Sequence, residues 1–315
     1  MKVAFLGNGD FSLTVLKKLV SSRHEVVCVV GSQDSASGRG QKITFSPVKS
    51  FCIDRNIPFL QYRRVSKEGE EDIRSFSPDV LVTASFGQIL KQNILDLAHF
   101  GVINVHCSLL PKYRGSCPVN FALLNGEKKT GVTIMQTVLA LDAGDIESQR
   151  EMDILPDETA GELLVRLSEM GADMLIETLD RLENGSAVFT SQDESKSSYY
   201  PMMSKDMGLI DFNKTSQEIH DFVRGLNPWP LAYTTIGSDR LKVYKACKID
   251  NIWNVDLSQF STGQVVRSTA KSGLVVKCSD GLVLLDMVQL PGGKVMPSKA
   301  LLNGRKIAEG TQLGE

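Results

Sequence analysis

The sequence predicts an α/β protein, with an open, mostly parallel sheet in a long N-terminal domain and a small β-barrel domain after it. Three observations carry that expectation. The chain opens with an apolar run at 3–6, a glycine turn at 7–10, an amphipathic stretch at 11–20 and a second apolar run at 24–30, the order of a parallel βαβ unit. Two later apolar runs, 102–106 and 131–135, lead into residues able to do chemistry, and open α/β sheets place their sites beyond strand ends. After a polar, serine-rich stretch at 185–203, the pattern changes to short β-rich runs between turns, as in a small barrel.

At 315 residues the chain exceeds a typical single domain, so two are expected: 1–188, a linker at 189–205, and 206–315. Apolar residues at 42%, charged residues at 23% and a mean hydropathy of -0.07 describe an ordinary globular protein with material for two cores. A net charge of -2 gives no bulk argument for nucleic-acid binding, so any such surface must be local. Residues 206–315 carry 13 Lys/Arg against 11 Asp/Glu and the remainder 22 against 26, a slightly basic tail on an acidic body. Six cysteines, at 28, 52, 107, 117, 247 and 278, include no C-x-x-C pair and no metal spacing; they read as buried thiols in a reducing compartment. No apolar run approaches the roughly 20 residues that cross a bilayer, and the first residues run into a glycine turn, not a signal-peptide core. The expectation is a cytoplasmic protein without membrane contact.

Taken in order, Leu13, Leu16, Leu19 and Val20 give the first helix its apolar face, with Lys17 and Lys18 opposite. The preceding turn invites a dinucleotide reading, but Ser12 stands where G-x-G-x-x-G needs its third glycine, and Gly31-Ser32 follows the second strand in place of an acid. Residues 31–46 form a glycine- and serine-rich loop with Arg39 and Lys42, either a functional loop or a solvated insertion. A helix from Pro47 to Arg55, a strand at 58–60, a helix at 70–75, a strand at 79–84, a turn at 86–90 and a helix around Ile94 and Leu95 follow. Residues 159–182 read as a long amphipathic helix capped by Asp157 or Thr159. Farther on come a helix at 216–224, a Pro-Trp-Pro segment whose Trp229 reads as a packing anchor, and strands at 241–246, 263–266, 274–277, 282–285 and 287–290.

Asn104 and His106 would share one face of their strand, and Asp142 and Asp145 lie beside a glycine turn farther along. An amide, an imidazole and a carboxylate are the material for proton transfer at a carbonyl carbon. Each alone has a plain reading: a turn-forming asparagine, a core histidine, a capping aspartate. His24, His99 and His220 stand outside any motif and read as structural or surface residues.

Asn104-Val105-His106, Ser108-Leu109-Leu110-Pro111-Lys112-Tyr113-Arg114-Gly115 and Leu141-Asp142-Ala143-Gly144-Asp145 resemble the 10-formyltetrahydrofolate-dependent formyltransferases. Gly38-Arg39-Gly40-Gln41-Lys42, the stretch 204–212 and Arg224-Gly225-Leu226-Asn227-Pro228-Trp229-Pro230 resemble the branch of that family that formylates methionyl-tRNA. The resemblance implies a Rossmann-like formyltransferase domain followed by an OB-like barrel that binds tRNA. It implies a monomeric transferase of translation initiation, using 10-formyltetrahydrofolate as co-substrate, initiator methionyl-tRNA as acceptor, and no metal. It makes Asn104, His106 and Asp142 the catalytic trio, with Asp142 orienting His106 or a relay water and stabilising the charged ring, and favours Asp142 over Asp145. It puts Phe86, Gln88, Ile89, Leu90, Ser108, Leu109, Leu110, Pro111, Leu141, Ala143, Gly144 and Asp145 around the folate, and Arg39, Lys42, Lys205 and Arg224 on the tRNA. The sequence departs from the family at Asn8-Gly9, where Thr-Pro is usual, at Phe86, where tyrosine is common, at Cys117 and over 137–140. The alternatives are the same chemistry on an amino sugar or on water, and an RNA-binding protein without catalysis.

Overall fold

In the computed structural model, residues 1–34, 36–37 and 42–314 are described, with backbone alone at 36, 37, 42 and 43. The first strands form where apolar runs are buried on both faces. Val3, Ala4, Phe5 and Leu6 are fully buried, as are Val80, Leu81 and Val82, which is the environment of a parallel sheet covered by helices.

In chain order the elements are β1 (Lys2–Gly7), α1 (Asp10–Val20), β2 (Glu25–Ser32), β3 (Ala36–Ser37), β4 (Lys42–Ile43), α2 (Pro47–Arg55), β5 (Phe59–Tyr62), α3 (Val65–Glu68), α4 (Glu70–Ser75), β6 (Val80–Ala84), α5 (Gln92–Leu95), β7 (Val102–His106), β8 (Arg114–Gly115), α6 (Pro118–Leu124), β9 (Lys129–Gln136), β10 (Ile146–Asp153), α7 (Ala160–Glu183) and β11 (Tyr199–Tyr200). The chain divides into two units, the first made of Met1–Pro118, Lys129–Asp153 and Leu164–Tyr200. Its sheet has the order β10-β9-β7-β6-β1-β2-β5. β5, β2, β1, β6 and β7 run parallel, and β9 and β10 are antiparallel additions at one edge. The chain winds outward from β1 through β2 to β5, then returns to the other side of β1 with β6, so the switch in strand order falls between β1 and β6. Gly171 of α7 lets the helix approach closely: a Cβ there would stand 2.8 Å from Val105 Cγ1.

Several expected elements appear within a residue or two. α2 begins at Pro47 with Ser46 accepting from the Lys49 N–H, the arrangement that suits proline at the first helical position. Of the two candidate caps for α7, Thr159 is the one used: its hydroxyl accepts from Glu162 N, and Glu162 accepts in return from Thr159 N, a capping box. β10 had no apolar run to announce it, because this edge strand is half-buried or exposed along its length. The stretch 189–205, expected as a linker, belongs to the first unit as far as Tyr200, where β11 pairs with β8.

The second unit comprises Val119–Lys128, Ile154–Leu163 and Pro201–Glu315. It contains α8 (Ser216–Gly225), β12 (Ala232–Ile236), β13 (Asp239–Ile249), β14 (Val265–Thr269), β15 (Gly273–Cys278), β16 (Gly281–Gln289), β17 (Met296–Pro297) and α9 (Ser298–Gly304). Its sheet is antiparallel, in the order β12-β13-β16-β15-β14, with β17 on β16. The runs expected as separate strands at 282–285 and 287–290 are one strand, β16. The C-terminal tail joins the two edges. Val265 N donates to Thr311 O and Leu313 N to Gly263 O on the β14 side, while Gly314 N donates to Thr235 O of β12, so the sheet closes on itself as small barrels do. Trp229 is 47% exposed and is not the buried anchor the sequence led one to expect. All six cysteines are free, and among the described residues no helix is long and apolar enough to cross a membrane.

Arg224, expected on the tRNA, is buried in this unit. It pairs with Asp221 at 2.6 Å and donates to the Leu155 and Glu158 carbonyls; its charge is compensated internally, which removes it from the candidates for phosphate contact. Burial pushes the Asp221 carboxyl up, but the nearby His220 ring and hydrogen bonds from Gln217 and Arg224 outweigh that and hold it at about 2. A carboxylate held below its unfolded value stabilises only while ionised, so its contribution is full above about pH 4 and is lost as pH falls through about 2. We expect denaturant unfolding to show Asp221→Asn less stable at pH 6, with a pH-dependent part of the gap near ~2 kcal/mol that closes over that window. A gap that stays constant to pH 2 would contradict this assignment.

Candidate active site

Strand β7 presents Asn104 and His106 on one face, two residues apart. Thr83 stands opposite Asn104 in the β6–β7 ladder, and its hydroxyl donates to Asn104 Oδ1 at 2.9 Å. That engages the carbonyl end of the amide. Its NH2 end has no hydrogen-bond partner among the described residues and is the donor left for a ligand.

His106 is buried, and its Nε2 lies 3.0 Å from the Tyr113 carbonyl oxygen. A carbonyl can only accept, so Nε2 is assigned the hydrogen and Nδ1 of the neutral ring holds the lone pair. Nδ1 faces Asp142 Oδ1 at 3.8 Å. This is too long for a hydrogen bond but close enough for Coulomb stabilisation of a charged ring. The ring is therefore oriented directly by Tyr113, and the aspartate makes no direct hydrogen bond to it.

Asp142 reaches His106 by a detour. β9 runs antiparallel to β7, with Gln136 opposite Ile103 and Thr133 opposite His106, so β9 ends beside the start of β7. The loop over 137–145 must turn back to bring the carboxylate to the imidazole. Asp142 adopts a left-handed φ of +50°, and its Oδ2 accepts from Gly115 N at 2.7 Å, which leaves Oδ1 to face the ring. Gly144 makes the return possible, because a Cβ there would stand 1.8 Å from the Gln136 carbonyl oxygen. Asp145, the competing acid, contributes its main-chain carbonyl to Gln136 N, and the carboxylate that faces His106 is that of Asp142.

The residues expected around a folate divide into supports and open surface. Phe86 and Leu90 turn into the core. The Gln88 amide bonds Val65 N and Tyr62 O, fixing the turn. Ser108 is fully buried and donates to Lys112 O; Thr133 Oγ1 donates to Ser108 O and accepts from Leu110 N. Leu110 is buried as well, with its carbonyl on Gln149 Nε2. Leu109, Pro111, Ala143 and Asp145 are half-buried and Gly144 is buried. Ile89 and Leu141 remain exposed, with Val138 and Leu139 from the departing stretch; these apolar side chains are the ones open to a flat ligand.

Sequence reasoning missed the support behind Asp142. Arg114 is fully buried, and its guanidinium holds Glu194 at 2.6 and 2.9 Å, Tyr199 OH at 2.6 Å and Gln192 Oε1 at 2.7 and 3.1 Å. Gln192 Nε2 then donates to the main-chain oxygens of Asp142 at 2.9 Å and Gly144 at 2.7 Å. These partners come from the polar stretch that read as a linker, whose composition gives no sign of the contacts.

Of the expected RNA contacts, Arg39 lies outside the described residues, Lys42 is described only as backbone in β4, and Lys205 is exposed. One group with metal-ligand geometry exists among the described residues: His24, Asp180 and Glu183 come within 4.8 Å of one another. Arg23 pairs with both acids, and the group sits at the amino ends of β1 and β2, away from Asn104 and His106.

A family model described as formyl transferase matches residues 1–179, and a second, for the formyl transferase C-terminal domain, matches residues 202–306. The chain is 40% identical to the methionyl-tRNA formyltransferases of Ruminiclostridium cellulolyticum and Clostridioides difficile, in each case over 100% of both chains. Among solved structures it resembles the sugar 3N-formyl transferase WlaRD (TM-score 0.67, 21% identity, 92% of this chain and 97% of that one). It also resembles a methionyl-tRNA formyltransferase from Clostridium thermocellum (TM-score 0.59, 17% identity, 80% and 95%). At those identities the two structures speak to the fold alone.

The return loop makes its own demand on the sequence. Gly144→Ala must displace either the loop or β9, and the expected cost is at least about 2 kcal/mol of stability, read by denaturant unfolding. A variant as stable as the parent would mean that the turn is not packed this way.

Proposed function

The chain belongs to the formyl transferase family, and from that premise we propose that it transfers the formyl group of 10-formyltetrahydrofolate to the free α-amine of initiator methionyl-tRNA. The full-length likeness to proteins named for that reaction supports the acceptor. The observation that carries the chemistry is a free amide NH2 and an imidazole on one strand face, with a carboxylate across the ring.

The amine attacks the formyl carbon, and charge builds as an oxyanion and an ammonium. Asn104 donates its NH2 to the oxyanion; a comparable donor is worth ~10²–10³ in rate. His106 takes the ammonium proton at Nδ1, an effect of ~10²–10⁴ for a well-placed base, while Asp142 at 3.8 Å stabilises the imidazolium through space. Collapse of the tetrahedral centre breaks the bond to N10 of the folate, and the imidazolium returns the proton to that nitrogen. The exposed Ile89, Leu139 and Leu141 are apolar surfaces for the folate rings.

For the RNA, β13 offers Arg240, Lys242, Lys245 and Lys248, all exposed, with Lys205 exposed nearer the start of the second unit. Arg39 and Lys42 belong to the stretch 38–42, whose resemblance to the tRNA-formylating branch supports their contact with the RNA. The reaction belongs to translation initiation, which places it in the cytoplasm, and the protein acts as a monomer without a metal.

Labelled formyl from 10-formyltetrahydrofolate should appear on charged initiator tRNA, with amino sugars and water as competing acceptors. Asp142→Asn and His106→Ala should each cut turnover at least roughly 10²-fold while leaving tRNA affinity within about twofold. Formate or a formylated sugar as the product would discard the acceptor and keep the chemistry; unchanged turnover in Asp142→Asn would remove it from the mechanism. Thr83→Val, which releases the Asn104 amide, should lower turnover by about tenfold with folate affinity retained. The affinity for tRNA should fall linearly with log salt, and Lys242→Ala/Lys245→Ala should reduce that slope by about 2.

A further inference from the structure

We infer that Gln192, locked in place by the buried Arg114, is a positioning residue that sets Asp142 against His106. The inference rests on the proposed roles of those two residues.

Asp142 sits in a backbone conformation unfavourable to a side-chain-bearing residue, in a loop whose natural course leads away from His106. Such a conformation persists only where surroundings over-determine it. Gln192 supplies that constraint: one NH2 group bridges the carbonyl oxygens of Asp142 and Gly144 across the strained turn. Its other end cannot drift, because Arg114 places two N–H groups on Gln192 Oε1, and Arg114 is itself fully buried and fixed by Glu194 and Tyr199.

The same segment fastens the rest of the site. Ser198 accepts from Tyr113 N through its hydroxyl and from Arg114 N through its carbonyl, and Tyr200 O accepts from Ser116 N. Tyr113 O receives His106 Nε2, and Gly115 N holds Asp142 Oδ2. Both the imidazole and the carboxylate are therefore referred to one strap, 192–200. A misplacement on the scale of 1 Å costs as much as 10² in rate.

Gln192→Leu and Gln192→Glu are the tests, each alone and combined with Asp142→Asn. Glutamate keeps the acceptor for Arg114 but turns the bridging donor into an acceptor that faces two carbonyl oxygens. Its expected signature is a melting temperature close to the parent's with kcat down roughly 10–100-fold and the KM for 10-formyltetrahydrofolate within about twofold. In the Asp142→Asn background either change should cost no more than about twofold further, because the carboxylate that Gln192 positions is already gone, while His106 is held separately through Tyr113 and Ser198. Gln192→Glu with parental kcat, or losses that multiply in the double variants, would overturn the inference. The single Asp142→Asn variant reports separately on the catalytic reading, since turnover unaffected by that change sinks the reading and not the geometry.

Discussion

A guanidinium with no exposed surface governs the order of this candidate active site. Burying a charge is costly unless it is paired and its donors are satisfied, and Arg114 answers that with a bidentate carboxylate, a phenol and an amide. The arrangement lowers the pKa of Glu194 from the ordinary carboxylate value, chiefly through its hydrogen bond from Arg114. Every one of these partners comes from 192–199. The requirement to satisfy one buried cation therefore draws a polar, serine-rich segment against β8, and that segment carries the backbone contacts that hold Asp142 and His106 in the geometry described.

What the sequence made legible follows a simple physical division. Apolar periodicity reports burial, so β7 and α7 could be read closely, while α2 was legible from the proline at its start. β10 could not, since an edge strand exposed along much of its length has no apolar period. The Asn104–His106 pair was legible because a strand's pleat brings i and i+2 together. The position of Asp142 opposite the ring was legible only by resemblance, because the loop that carries it reverses direction under constraints set 50 residues later at Gln192. Arg224 shows the opposite failure: a basic residue in a family motif looks like a phosphate contact until its burial beside Asp221 is known.

The first turn gives a physical reason for rejecting a dinucleotide. In such folds the glycines bare the backbone for a pyrophosphate. Here Ser12 accepts from Asn8 N and donates to the Ala84 carbonyl, while the Asn8 side chain donates to Phe86 O and accepts from Ser32 N. Three strand ends are tied by side chains where a phosphate would need open amides. Asn8 is also one of the departures from the family's usual residues, and these bonds give the substitution a structural purpose.

The way Asp142 is held matters as much as the fact that it is held. A carboxylate fixed by both oxygens would be rigid but unavailable to the imidazole. Here Gly115 takes one oxygen, Gln192 grips the main chain, and Oδ1 is left facing Nδ1 at 3.8 Å. Because Tyr113 already orients the ring through Nε2, the aspartate need not bond to Nδ1, and that nitrogen stays free to receive a proton. Orientation and charge stabilisation are thus separated onto two partners, and one strap supports the backbone of both.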